Sequence, residues 1–177
     1  AQEILAGRLD DQFVVDVFQT GSGTSTNMNM NEVLATRANE ILTGKKATKA
    51  PVHPNDHVNR GQSSNDVIPT ALHVAAMLSL ENALLPALKK LHECLAAKAE
   101  EFAHVDKMGR THLQDAVPMT LGQEFSGWDR QIVLGIDRLH DIRKRLSELA
   151  LGGTVVGSGL NVDPRFAPRV LETLARQ

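Results

Sequence analysis

At 177 residues the chain is long enough for one domain with a core of its own, or for parts of two. Its 19 basic and 21 acidic residues are interspersed and leave a formal net charge of −2, which excludes the basic face that nucleic-acid binding needs. Five Phe, one Trp and no Tyr leave little to stack on bases, and no uninterrupted apolar run reaches the ~18 residues of a membrane span. The lone Cys94 excludes an internal disulfide, fits a reducing compartment and reads as a small apolar filler on a helix.

In chain order, AQEILAG reads as the tail of a helix, with no signal or transit character. Phe13 to Phe18 (FVVDVF) is a short apolar run suited to a strand or an extended segment. The loop TGSGTST follows. A helix is expected from about Asn27 to Thr43, stopping at Gly44, where a residue free to take positive φ ends a helix. Residues 44–64 form a polar connector carrying Pro51 and Pro54.

Two long helices dominate the remainder. The first is expected after Asn65-Asp66, both good N-caps, with Pro69 tolerated in the first turn, and to run to about Phe102. Leu84, Leu88, Leu91 and Leu95 give the 4-3-4 spacing of a bundle seam. Val74 through Leu78 is apolar on every side and is expected to be buried all round; Pro86 should kink or pause the helix. The second is expected from about Gly122 to Leu151, with apolar residues from Phe125 to Leu149 recurring every three or four positions; it would be ~45 Å long. VLETLARQ then reads as the opening turns of another helix, so both ends of the chain look cut. So many apolar faces on so few helices call for partners from outside the chain, and oligomerisation is the obvious source. The fold class is all-α, a long-helix bundle with functional loops at helix ends. Residues 1–64 are assigned to part of an N-terminal helical domain and 65–177 to the first part of the central bundle.

Four loops are richer in Ser, Thr, Asn and His than connectors require. Gly21-Ser22-Gly23-Thr24-Ser25-Thr26-Asn27 leads into a helix, where glycines allow close backbone approach and hydroxyls and amides donate to an anion. A flexible capped turn is the reading this motif favours when taken alone, and no Gly-Lys-Ser/Thr follows to make it a P-loop. Gly61-Gln62-Ser63-Ser64-Asn65-Asp66 stands at a second helix start, equally suited to binding a carboxylate and to plain capping. Gly109 to Asp115 precedes the second long helix and carries His112, either an acid–base group or a surface histidine. Gly152 to Asn161 follows a helix, not a strand, so a dinucleotide fingerprint fits poorly, and it reads as a flexible turn bearing Asn161 toward a ligand. His53 and His57 are four apart, but Pro54 disfavours the helix that a zinc pair would need. His73, His92, His104 and His140 are scattered and read as structural.

Together and in this order, FQTGSGTSTNMNMNEV, HPNDHVN, GQSSNDVIPTALHVAA, GRTHLQDAVPMTLGQEFSGW and LALGGTVVGSGLN closely resemble segments of the class II fumarases of the fumarase/aspartase superfamily. The match covers nearly the whole chain. The superfamily signature GSSxMPxKxNP is not in it.

The resemblance implies an all-α homotetramer, active sites assembled from three subunits, and reversible hydration of fumarate to L-malate without metal or organic cofactor. By position, Ser22, Gly23 and Thr24 match one substrate-binding segment, and Ser63, Ser64 and Asn65 another. Thr111 matches a substrate contact and His112 the catalytic histidine. His53, Pro54, Asn55 and Asp56 match a second dicarboxylate site, although Ala50, beside Lys49, stands where the family often has a basic residue. The family's carbon base, a serine, and its Lys and Asn ligands belong to the absent signature loop. Aspartases typically read GRTQLQD and QSTND, so His112 and Ser64 favour fumarase. The competing readings are an aspartase-type ammonia lyase and a non-catalytic helical scaffold. The implied partners are fumarate and L-malate, not membrane or nucleic acid. The implied location is the cytoplasm, or the mitochondrial matrix in a eukaryote.

Overall fold

The computed structural model describes residues 1–47 and 49–176; Thr48, in the polar connector, and Gln177, the last residue of the VLETLARQ stretch, lie outside the described residues. Two units divide the chain: Ala1–Leu72 with Leu149–Gln177, and His73–Glu148.

In the first unit a short helix α1 (Gln2–Leu5) and a tight turn at Asp10–Gln12 precede α2 (Thr24–Thr43). α2 starts three residues ahead of expectation because Gly23 takes φ 66° and turns the chain into the helix; it stops where expected, at Gly44 with φ 71°. Asn27, Asn31, Ala35 and Asn39 recur every four residues, and all are buried. This unit therefore closes over a polar seam as much as over a greasy one, which is tolerable only because the amides are bonded. The Asn39 amide nitrogen donates to the carbonyls of Ala47 and Val52 (2.7 and 2.9 Å), and its oxygen accepts from the Val52 amide (2.6 Å), fastening the connector to α2. Asn29 does the same for the apolar run: its oxygen accepts from Val14 N (3.1 Å) and its nitrogen donates to Gln12 O (3.1 Å). Phe13 to Asp16 belongs to no helix or strand, and Val17 to Gln19 form a bend. The unit ends with α6 (Phe166–Leu174), reached after the elements of the second unit.

The helix that begins with α3 (Ser64–Ser79) continues through a π-type turn at Leu80–Leu84 into α4 (Leu85–Glu101), with Phe102 as its cap. The pause expected from Pro86 is that turn: proline lacks the N–H and crowds the carbonyl four residues back, and a wider turn relieves both. Over an 18-residue window the continuous helix Ser64–Glu101 has mean hydropathy 1.4, so length and composition alone would let it cross a bilayer, which counting uninterrupted runs had excluded. Glu81, paired with Arg143 at 2.6 Å, sits in its middle, as suits a bundle helix.

β1 (Asp106–Thr111) and β2 (Gln114–Thr120) form an antiparallel hairpin, and α5 (Leu121–Leu146) follows directly. A capping box starts α5: Thr120 Oγ1 accepts from Gln123 N (3.1 Å), and Gln123 Oε1 accepts from Thr120 N (2.9 Å). Gly122 lies so close to the end of α4 that a Cβ there would stand 2.4 Å from Ala99 O. His92 meets Asp129 at 2.6 Å, and Glu81 meets Arg143 further along. These contacts run in reverse order along α4 and α5, so the helices pack antiparallel. α5 ends five residues short of expectation, at ~39 Å rather than ~45 Å. Beyond it, the Gly152 and Thr154 amides bond the Asp66 carboxylate instead of helical carbonyls.

The all-α class holds apart from this hairpin. The expectation that Val74 to Leu78 is buried all round does not hold: these residues are half-buried or exposed, Leu78 at 53%. The seam residues Leu84 and Leu91 are 45% and 44% exposed, and Trp128 and Ile142 on α5 are similar. A two-helix pair covers only one side of each helix, so the remaining apolar faces stay open.

Candidate active site

Three of the four loops lie in the first unit and are bonded to one another. Gly23, at the start of α2, has no room for a side chain: a Cβ would stand 2.9 Å from Ile68 Cγ2. The hydroxyls of Thr20, Ser22 and Thr24 form a chain with spacings of 3.0 and 3.3 Å, and no side chain caps α2. The uncapped positive helix end thus stands beside a row of hydroxyls, an arrangement suited to an anion.

At the start of α3, Ser63 Oγ accepts from Asn65 N (3.2 Å). Asp66, 1% exposed, accepts from Ser63 N through Oδ1 (2.9 Å), and from Gly152 N (3.2 Å) and Thr154 N (2.8 Å) through Oδ2. Asn65 Nδ2 donates to Val155 O (2.8 Å). A single buried carboxylate therefore caps α3 and holds the Gly152–Asn161 loop, where Thr154 and Asn161 take positive φ (57° and 63°). Asn161 is exposed. Asn27 Nδ2 donates to Ser64 Oγ (3.0 Å) and to Asn59 Oδ1 (3.2 Å), and Asn31 Nδ2 donates to that same Asn59 oxygen (2.9 Å). The result is an open recess of about 360 Å³ lined by Ser22, Ser64, Asn65, Gly21, Ile68, Pro69 and Leu72.

His53 stands in extended conformation (φ −102°, ψ 134°), and its Nδ1 accepts from the amides of Asn55 (3.2 Å) and Asp56 (3.3 Å), capping a π-type turn Pro54–Val58. The same Nδ1 lies 3.3 Å from Asp56 Oδ2. His57 Nδ1 accepts from His53 N (2.8 Å). Both rings thus serve the backbone at this point, and no helix presents them side by side. Pro54 also lines a separate cavity of about 590 Å³, together with Arg8, Arg37, Lys46 and Lys49. Lys49, adjacent to the position where the family often has a basic residue, is therefore in the same cavity wall as Pro54.

The third loop belongs to the second unit, and here the structure corrects the reading of a loop. Thr111 pairs with Gln114, leaving His112 and Leu113 as a two-residue hairpin turn with φ 47° and 62°. Such a turn requires positive φ at both positions, normally met by Asn or Gly, so a His-Leu pair stores strain there. Arg110 Nε braces the neck, donating to Asp115 Oδ1 (3.0 Å) across the strands. His112 and Thr111 are exposed at the tip. Among the other histidines, His92 is bonded to Asp129 and His73 Nδ1 lies 3.0 Å from Glu148 O.

Asn27, Asn59 and Asp66 were not among the candidate site residues named from sequence, although Asn27 and Asp66 fall within two of the loops singled out there. The available signal was the spacing of Asn27, Asn31 and Asn39 at multiples of four, which sets three amides on one helix face; where that face is buried they are costly unless bonded.

The described residues form a long-helix fold with hydroxyl- and amide-bearing loops at helix starts. The chain belongs to the family described as Lyase, whose model matches residues 1–177. It is 55% identical over 175 residues to the mitochondrial fumarate hydratase of Rattus norvegicus, covering 99% of this chain and 34% of that protein. It is 57% identical over 176 residues to the class II fumarate hydratase of Nitrosomonas europaea, covering 99% and 38%. The crystal structure of a recombinant class II fumarase from Schistosoma mansoni superposes with a TM-score of 0.92 at 44% identity, covering 99% of this chain and 36% of that one. The resemblance to class II fumarases thus extends from sequence to fold, and the chain spans little more than a third of the length of the curated relatives it matches.

Proposed function

We propose that the protein to which this chain belongs is a fumarate hydratase, adding water to fumarate to give L-malate and reversing the reaction. The observation that carries this reading is the 55–57% identity to fumarate hydratases along 99% of the chain. Ser64 and His112 stand where aspartases typically carry Thr and Gln. Ser22, Gly23, Thr24, Ser63, Ser64, Asn65 and Thr111 bind the dicarboxylate. His53, Pro54, Asn55 and Asp56 form a second dicarboxylate site.

In the malate-to-fumarate direction, loss of the carbon proton builds negative charge on the adjacent carboxylate. Neutral donors already in place stabilise that charge without reorganising. The hydroxyl leaves as water and needs a proton, which His112 supplies through the bound water; in hydration the same group takes the proton from water. The carbon base comes from the family's signature loop, so this 177-residue chain alone is expected to be inactive. The complete enzyme is a homotetramer with sites shared between subunits and belongs to the tricarboxylic acid cycle. It works in the cytoplasm, or in the mitochondrial matrix if eukaryotic. Residues 1–64 form part of its N-terminal helical domain, and residues 65–177 the first part of its central bundle.

The test follows fumarate absorbance in the complete enzyme, first with water alone and then with ammonium. Loss of fumarate to malate in water, unchanged by ammonium, supports the assignment. Ammonium-dependent formation of aspartate overturns it.

A further inference from the structure

Ser64, at the first position of α3, has one hydroxyl proton to give and two lone pairs with which to accept. One lone pair is committed to Asn27, whose amide nitrogen lies 3.0 Å away. An amide N–H has no means of accepting, so the Ser64 proton is not spent on that contact. The Asn27 side chain, 5% exposed, is held in turn by Asn59 Oδ1, which also accepts from Asn31. The Asn59 carbonyl oxygen therefore fixes which end of the Asn27 amide faces Ser64. No other hydrogen bond engages the Ser64 hydroxyl among the described residues, and Ser64 lines the recess with Ser22 and Asn65.

We propose that Asn27 is a positioning residue that turns Ser64 into an outward hydrogen-bond donor, so that the recess selects an acceptor-only carboxylate. This rests on the dicarboxylate reading above and names a residue which that reading does not use. If Asn27 presented an acceptor instead, the Ser64 proton would turn inward and the recess would lose a donor.

The experiment uses the complete enzyme with Asn27→Ala, Ser64→Ala and the double variant, and titrates succinate, a dicarboxylate that does not react, by calorimetry. Each single change should raise the succinate Kd about tenfold, the usual weight of one hydrogen bond to a charged group. The double variant should be within about threefold of Ser64→Ala, because Asn27 acts only through the Ser64 hydroxyl. Hydration kinetics on Asn27→Ala should show KM raised about tenfold with kcat within about threefold, the pattern of lost binding rather than lost chemistry. If Asn27→Ala does not fold by circular dichroism, Asn59→Ala, which releases the same amide, replaces it in the cycle with an expected single effect of about threefold. Additive effects, an unchanged Kd, a loss confined to kcat, or a wild-type enzyme that does not bind succinate overturn the inference. A wild type that binds succinate yet fails to hydrate fumarate overturns the hydratase reading, and the succinate cycle still decides the role of Asn27.

Discussion

Removing the Asp66 carboxylate should loosen two loops at once, and the structure sets the size of the effect. Asp66 is 1% exposed and accepts from three backbone amides, those of Ser63, Gly152 and Thr154. Asp66→Ala leaves all three without an acceptor. An orphaned buried donor costs about 1–3 kcal/mol. Thr154 is buried while Ser63 and Gly152 are only half-buried, so water partly compensates two of the three. Taking about 1–1.7 kcal/mol for each, near the bottom of that range, gives roughly 3–5 kcal/mol in all. Asp66→Asn keeps one acceptor oxygen of nearly the same shape and should cost about half as much, roughly 1.5–2.5 kcal/mol. The assay is amide hydrogen exchange on Ser63, Gly152 and Thr154. In Asp66→Ala, protection should fall by about 10²–10³-fold at these amides, since 1.4 kcal/mol is a factor of ten. The amides of α5 should be much less affected. Unchanged protection at Gly152 and Thr154, with loss only at Ser63, would show that Asp66 merely caps α3 and that something else holds the far loop.

Three further outcomes follow from particular residues. His112→Asn in the complete enzyme should lower kcat by ~10²–10⁴-fold while far-ultraviolet circular dichroism stays unchanged, since the residue sits at an exposed turn; near-normal turnover would make it a bystander. Gly23→Ala should destabilise by ~1–2 kcal/mol in urea unfolding, because φ is 66° and the new Cβ would press on Ile68 at 2.9 Å; an unchanged midpoint would show that the helix start relaxes freely. Arg165 holds the Asp163 carboxyl down at about 2, through its side chain first and its backbone amide second. A depressed folded value means that the contact stabilises above the ordinary carboxylate range, near ~4, and is lost as pH falls from there through about 2. Carbon-detected NMR titration should find this low midpoint, and Arg165→Ala should return it toward ~4.

Much of the helical layout was legible without coordinates, because its signals are local. Gly44 ends α2 by its freedom at positive φ, and Pro86 disturbs the long helix in the turn just before it. The serine-, threonine- and histidine-bearing motifs were visible for the same reason, since each is a run of neighbours in the chain. The hairpin was not. Asp106 to Thr120 contains Gly109 and Pro118 and lacks the alternation of a half-buried strand, so only the pairing across His112-Leu113 makes it one. Nor was Asp66 legible as anything beyond a helix cap, because its other two donors come from 86 and 88 residues away. The same holds for Asn27, whose partners Asn59 and Ser64 are 32 and 37 residues distant. A sequence records spacing along one chain, and that spacing sets helix limits, caps and apolar stripes. Which buried amide finishes which distant hydroxyl depends on where folding brings them, and only the tertiary structure decides that.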